Sequence, residues 1–259
     1  MQAQKVIDHL SQQGTWVNFD KTRDIVLFGD PTQEVTKIGV CWIATIQVIE
    51  TAIQRGINFI VAHENCFYEE STSPHKLLLK ARQEKMALLN KHKICIYRCH
   101  DVWDRMPVYG VLDAWGQALG FNFEPRLVTS FYSYAHFEPT SVASVAQSIS
   151  KSIKRFGQDS VTVLGDPKTI VNSICIGTGA ITDVFFMLKQ EAQCLVCTDD
   201  GISNWIHAQY CVDKKIPIIL VHHSVSEVPG MNKMVEYLKL NFKDADVSYL
   251  DEGFQFHTF

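Results

Sequence analysis

Residues 46–64 read Ile46-Gln47-Val48-Ile49-Glu50-Thr51-Ala52-Ile53-Gln54-Arg55-Gly56-Ile57-Asn58-Phe59-Ile60-Val61-Ala62-His63-Glu64. The apolar residues among the first ten recur at helical spacing, which predicts a helix over 46–55. Gly56 is the residue type that ends one, because it adopts the left-handed conformation without a Cβ penalty. Residues 58–62 then predict a short buried strand, and that strand ends in His63-Glu64. A helix, a glycine, a buried strand and a polar tip make the repeating unit of a parallel α/β sheet.

The same unit recurs on both sides. Upstream, residues 6–13 predict a helix closed by Gly14, and 37–42 a strand. Downstream come a helix over 76–90, a strand over 94–99 and a helix over 111–119 closed by Gly120. Beyond residue 125 the pattern predicts a strand over 127–137 and a helix over 142–155 capped by Ser141. Strands over 161–164 and 173–176, a helix over 179–190 and a strand over 195–198 follow. A helix over 204–214, a strand over 217–221, a helix over 230–242 and a strand over 247–250 complete the chain. Strands alternating with helices predict an α/β fold with largely parallel sheets. A composition shift at Glu124-Pro125 divides it into two α/β domains, 1–125 and 126–259, with the last helix and strand free to pack back on the first.

Composition narrows the function classes. The chain has 259 residues, with 24 Lys+Arg against 28 Asp+Glu, a net charge of −4. A slightly acidic chain is not built as a dedicated nucleic-acid binder, which carries a basic excess on one face. No apolar run reaches the roughly 18–20 residues that cross a bilayer, which predicts no membrane partner. The start Met1-Gln2-Ala3-Gln4-Lys5 leads into no signal-type apolar stretch, so the expected location is cytoplasmic. Eight cysteines in such a compartment read as free thiols packed as small apolar groups. Cys194-Leu195-Val196-Cys197 falls in a strand, where positions three apart face opposite sides, so it is not expected to work as a redox or zinc pair.

Four predicted strands end in residues with acid–base or ligand chemistry. His63-Glu64 follows 58–62; His100-Asp101-Val102-Trp103-Asp104 follows 94–99; Asp199-Asp200 follows 195–198; His222-His223 and Glu227 follow 217–221. Ligands of open α/β sheets bind at such carboxyl-terminal tips. Imidazole and carboxylate groups together suit Zn, Mn, Fe or Ni. His100 with Asp104, and His223 with Glu227, are each four apart and can act from one helical turn. A histidine beside a carboxylate after a strand is also an ordinary surface or capping arrangement, and Asp199-Asp200 fits a helix cap equally well. Gly177-Thr178-Gly179 can present N–H groups to an anion or simply make a tight turn. Arg98 and Arg105 flank the His100 tip, as anion holders or as surface charges.

An ordered set of residues resembles a known family. It comprises Gly29-Asp30-Pro31, the run 35–40, Ala44-Thr45, Val48-Ile49, Ala52 and Phe59-Ile60-Val61-Ala62-His63. It continues with His100-x-x-x-Asp104, Gly110-Val111-Leu112-Asp113, Ala118-Leu119-Gly120, Gly177-Thr178-Gly179, Cys197-Thr198-Asp199-Asp200 and His223-x-x-x-Glu227. Across residues 25–245 this order is similar to that of the Nif-three-like dinuclear-metal proteins, also called GTP cyclohydrolase type 2 homologues. The resemblance implies two α/β domains with a metal site in the cleft between them, two divalent ions and a ring-shaped homohexamer. It implies that His63 is the first of the family's paired histidines, that Asp104 is the carboxylate of its second motif with His100 adjacent, and that His223 and Glu227 are its last histidine and bridging glutamate.

This chain departs from the family at four places. Glu64-Asn65 stands where a second histidine and a proline are usual. Cys41-Trp42-Ile43 lacks the aspartate before Ala44-Thr45, and Arg23-Asp24-Ile25 lacks a Trp-Asp-Asn. A His-His pair expected soon after Thr198 is replaced near Ser203-Asn204-Trp205. Glu64 can still ligate, and favours a harder ion. The leading expectation is a dinuclear metal-dependent hydrolase-like protein acting on a nucleotide or phosphate-containing small molecule. In it His63, Glu64, Asp104, His223 and Glu227 hold the ions, and His100 is the general acid or base or orients a ligand. The alternative from another class is a non-catalytic metal-binding or regulatory ring. Whether His222 joins His223 stays open.

Overall fold

The computed structural model describes residues 1–68, 75–202 and 205–258. The chain forms two compact units, Met1–Met106 with Met231–Gly253, and Pro107–Gly230 with Phe254–Phe259.

The first unit contains α1 (Ala3–Gln13), β1 (Ile25–Phe28), β2 (Lys37–Cys41), α2 (Ile46–Arg55), β3 (Phe59–Ala62), α3 (Lys76–Lys91), β4 (Cys95–Arg98) and α4 (Asp101–Arg105). The second contains α5 (Val111–Leu119), β5 (Ser133–Ser141), α6 (Val142–Ile153), β6 (Thr162–Leu164), β7 (Ile170–Ile176), α7 (Val184–Met187), β8 (Cys194–Thr198), α8 (Trp205–Lys214) and β9 (Ile218–Val221). α9 (His223–Asn241) starts in the second unit, and β10 (Asp246–Tyr249) belongs to the first.

The first sheet has the order β1-β4-β3-β2-β10, with β4, β3, β2 and β10 parallel and β1 antiparallel on one edge. Every residue of β3 is buried, as its continuous apolar run requires. Val48, Ile49 and Ala52 of α2 join Leu89 of α3 on one face, against Ile60, Ala62 and Ile96. Thr45 caps α2 by accepting the Val48 N–H, and Gly56 ends it at φ +66°. Elsewhere in this unit His9 of α1 shares a hydrogen bond of 2.9 Å with the Tyr237 hydroxyl, so His9 is structural.

The second sheet has the order β5-β7-β8-β9-β6, with β7, β8 and β9 parallel and an antiparallel strand on each edge. Trp115 of α5 and Ile149 of α6 cover one face. Met187 of α7 and Cys211 of α8 cover the other. Cys194 packs with the first group and Cys197 with the second, so the two thiols lie on opposite faces. All eight cysteines are buried and free. Burial pushes the Cys194 thiol up to about 12, which removes thiolate chemistry from this position.

The expected α/β class with largely parallel sheets is the observed one. Several elements differ in detail. The expected helix over 179–190 is a 3₁₀ turn at Gly179–Ile181, the short α7 and a second 3₁₀ turn at Leu188–Gln190. Gly179 at φ +57° turns the chain, and Asp183 restarts it by accepting the Phe185 and Phe186 N–H groups. The helix expected from 230 begins at His223 and runs through Pro229. Its opening turns therefore carry the ligand-type pair. β1 has no counterpart among the elements expected from the sequence; it is an edge strand with Ile25 51% exposed, and shows no buried run. The strand expected over 127–137 is Ser133–Ser141. Where the sequence reading divides the chain at Glu124-Pro125, the compact units divide at Met106, because Leu112, Trp115 and Leu119 of α5 pack on the second sheet. The expected start of a helix at Asn204 lies outside the described residues. No described helix is long and apolar enough to cross a membrane.

Sheet order decides which polar tips become neighbours. β3 and β4 are adjacent and parallel, and so are β8 and β9. The His63 tip therefore lies beside the His100 tip, and the Asp199-Asp200 tip beside the His222-His223 tip.

Candidate metal centre

His63 leaves β3 fully buried. Its N–H donates to the Trp42 carbonyl at 3.0 Å, and the Glu64 N–H donates to the same oxygen at 2.7 Å. The Trp42 N–H in turn donates to the buried Glu252 carboxylate, as does the Tyr249 hydroxyl. Burial pushes Glu252 up to about 7. The His63 ring is fixed at Nδ1, which lies 3.2 Å from the Cys99 carbonyl oxygen. A carbonyl only accepts, so Nδ1 carries a hydrogen, and Nε2 is the nitrogen left for a proton or a metal ion. That Nε2 faces Asp104 Oδ1 at 3.3 Å. A lone pair facing a carboxylate is favourable only with a proton or a cation between them.

His100 completes this group. Its ring stacks on His63 at 4.5 Å between centroids, with 7° between the planes. Its Nδ1 lies 2.9 Å from Asp101 Oδ1 and 3.3 Å from Asp104 Oδ2, and its Nε2 lies 3.5 Å from Glu64 Oε1. Burial disfavours the His100 imidazolium, yet Asp104, Asp101 and Glu64 outweigh it and raise the pKa above the ordinary value. His63, His100 and Asp104 each present a ligand atom, all within 4.8 Å of one another. Two imidazoles and a carboxylate at that spacing suit a divalent first-row ion. His100 thus lies beside the His63–Asp104 pair, close enough to ligate or to exchange a proton with it.

Glu64 is held differently. Its Oε2 takes an ion pair of 2.5 Å from Arg98 Nη2, while Arg98 Nε donates to the His63 carbonyl at 3.1 Å. Arg98 is therefore bonded to the tip it flanks. Asp24 has a role that no sequence motif marks. This buried carboxylate accepts the His100 and Val102 N–H groups and the Thr22 hydroxyl, so it anchors the start of α4. It lies far away in sequence, and no spacing rule announces it.

In the second unit His223 opens α9 between two carboxylates. Its Nδ1 is 2.7 Å from Asp200 Oδ2, and its Nε2 is 3.0 Å from Glu227 Oε2. Burial favours the neutral ring, but Glu227 and Asp200 outweigh it and hold the imidazolium up to about 10. Glu227 is 4% exposed. The tip before α8 frames the pair: Asp199 accepts the His223 N–H at 2.9 Å, and Thr198 Oγ1 lies 3.2 Å from Asp200 Oδ1. Gly179 donates to Ser226 Oγ at 3.3 Å, and a Cβ on it would meet Glu227 Oε1 and His223 Nε2. The Gly177-Thr178-Gly179 turn therefore leaves room for this pair. His222 points elsewhere, with Nδ1 on Asp199 Oδ2 at 2.8 Å and its ring stacked 3.7 Å from that of Phe256.

Comparison with known proteins agrees with this architecture. The family described as Duf34/NIF3 (NGG1p interacting factor 3) matches residues 1–251. A Clostridium perfringens (strain 13 / Type A) protein named GTP cyclohydrolase 1 type 2 homolog is 25% identical over 230 residues, covering 87% of this chain and 86% of that one. Among solved structures, a Staphylococcus aureus hypothetical protein superposes with a TM-score of 0.80 at 18% identity, covering 99% of each chain. A Bacillus cereus protein related to NIF3 gives 0.78 at 14% identity, covering 100% of this chain and 98% of that one. These two structures share the fold.

Proposed function

The chain belongs to the Duf34/NIF3 family, and from that membership and the geometry of its strand tips we propose that it is a metal-dependent hydrolase-like protein acting on a nucleotide or another phosphate-containing small molecule. The observation that carries the reading is the placement of His63, whose Nδ1 is committed to the Cys99 carbonyl and whose Nε2 faces Asp104 beside His100. His63, Glu64 and Asp104 of the first unit and His223 and Glu227 of the second are the proposed ligands of two divalent ions, zinc, iron, manganese or nickel. Bound ions of this kind lower the pKa of water and polarise a phosphoryl or carbonyl oxygen.

The chain's own residues supply the remaining chemistry. Asp104 and Glu227 neutralise cationic charge, while Cys99 and Asp200 orient the two histidines. His100, raised in pKa by its carboxylate neighbours, holds a proton to higher pH than an ordinary histidine and is the proposed general acid or base. The name of the Clostridium perfringens relative favours a nucleotide as substrate. A homohexameric ring is the proposed assembly.

One observation favours a second reading, a non-catalytic metal-binding or regulatory ring. Glu64, where the family usually has a histidine, is ion-paired to Arg98. Asp104→Ala separates the two readings when combined with a screen of nucleotides and phosphoesters. On the hydrolase reading, the variant loses metal and all metal-dependent turnover. If the wild type holds metal but turns over nothing in the screen, the non-catalytic reading takes its place.

A further inference from the structure

The two histidines His63 and His223 are oriented by different chemistry. His63 donates from Nδ1 to a backbone carbonyl, which no substitution of a side chain removes. His223 donates from Nδ1 to Asp200, a side chain on the tip of the neighbouring strand. A carboxylate only accepts hydrogen bonds, so it holds the hydrogen on Nδ1 and leaves Nε2 as the nitrogen that can ligate. The buried Thr198 hydroxyl, which donates to the Gly179 carbonyl, also lies 3.2 Å from Asp200 Oδ1. Asp199 does something else: it accepts the His223 backbone N–H and leaves the ring alone. Two consecutive aspartates thus divide the work, one anchoring the start of α9 and one setting the ring.

We infer that Asp200 is a positioning residue, which fixes the His223 ring so that Nε2 is its metal-binding nitrogen. The inference rests on the metal-binding reading above and adds to it a residue outside the ligand set. Asparagine at 200 has the same shape but can turn its amide N–H₂ toward Nδ1. It then permits the tautomer with hydrogen on Nε2, which cannot ligate. Removing the carboxylate partner of a ligating histidine typically costs about 10–100-fold in metal affinity.

The test is the affinity of the full chain for Co(II) and Zn(II), read by competition with a chromophoric chelator, with the Co(II) absorption spectrum as a second readout. Asp200→Asn is expected to bind about 10–100-fold more weakly, with altered Co(II) bands. Asp199→Asn is expected to keep the wild-type affinity. Asp200→Glu, which keeps a carboxylate but shifts it, is expected to give a smaller loss in the same direction, and so serves if Asp200→Asn folds poorly. In a His223→Ala background Asp200→Asn is expected to add nothing, because its effect passes through the ring. Wild-type affinity in Asp200→Asn overturns the inference while leaving the metal reading intact, as does an equal loss in the His223→Ala background. A wild type that binds neither ion overturns the metal reading, and this inference with it.

Discussion

Gly179→Ala is expected to destabilise the protein by several kcal/mol and to weaken divalent metal binding by about 10–100-fold. Two effects combine at one atom. Gly179 sits at φ +57°, where any side chain costs about 1–2 kcal/mol. The added Cβ would also lie 2.9 Å from His223 Nε2 and against the Glu227 carboxylate. Glu227 is buried and has little room to move away. Displacing it breaks a buried ion pair, a change that costs about 3–5 kcal/mol when one partner is left uncompensated. The check is the denaturant midpoint in EDTA together with a chelator competition. A variant within about 0.5 kcal/mol of wild type, with wild-type metal affinity, would show that Glu227 and His223 are not confined as described.

The metal-free protein is expected to lose stability, on the order of a few kcal/mol, as pH rises from about 6.5 to 10. The sign follows from His223, whose pKa is raised from 6.5 to about 10 by Glu227 and Asp200 after burial has worked in the opposite sense. A group with a raised folded-state pKa binds its proton more tightly in the native state. Its contribution is complete below the unfolded value and fades as pH rises through the folded one. His100, also raised, acts in the same direction. Glu252, raised from 4.5 to about 7, does so over a lower window, complete below 4.5 and lost through 7. Metal reverses the trend. An ion on Nε2 replaces the proton there, so affinity rises with pH over the window in which the free protein weakens. Urea unfolding at pH 6, 8 and 10, with EDTA and with zinc, reads both slopes. A flat or rising curve in EDTA would contradict the pairing of His223 with its two carboxylates.

The sequence made the framework readable where one force dominated. The continuous apolar run before His63 could only be a buried strand, and helices 46–55 and 111–119 have the expected bounds because glycine ends each of them. Edges and mixed signals were harder. Ile25–Phe28 is half-exposed and shows no buried run. The four-residue spacing of His223 and Glu227 suggests one helical turn, but the helix predicted from 230 begins at His223 and passes through Pro229, a residue that normally ends or kinks a helix. The site was legible as a set of tips and illegible as an arrangement. Adjacency of β3 with β4 and of β8 with β9 is a property of sheet order, which no local pattern carries. For the same reason Asp24 and Asp200 gained their roles only in three dimensions. Asp24 reaches α4 from a loop distant in sequence, and Asp200 differs from Asp199 only in which atom of His223 it meets.

The central claim is that these histidines and carboxylates bind divalent metal. Its most direct test is metal content per chain, measured on protein purified without a histidine tag beside the double variant His223→Ala, Glu227→Ala. The account predicts about two divalent ions per chain in the wild type and a clear loss in the variant, whose stacked His63–His100 pair remains in place. No bound metal in the wild type, even after reconstitution with zinc, iron, manganese and nickel in turn, would contradict it.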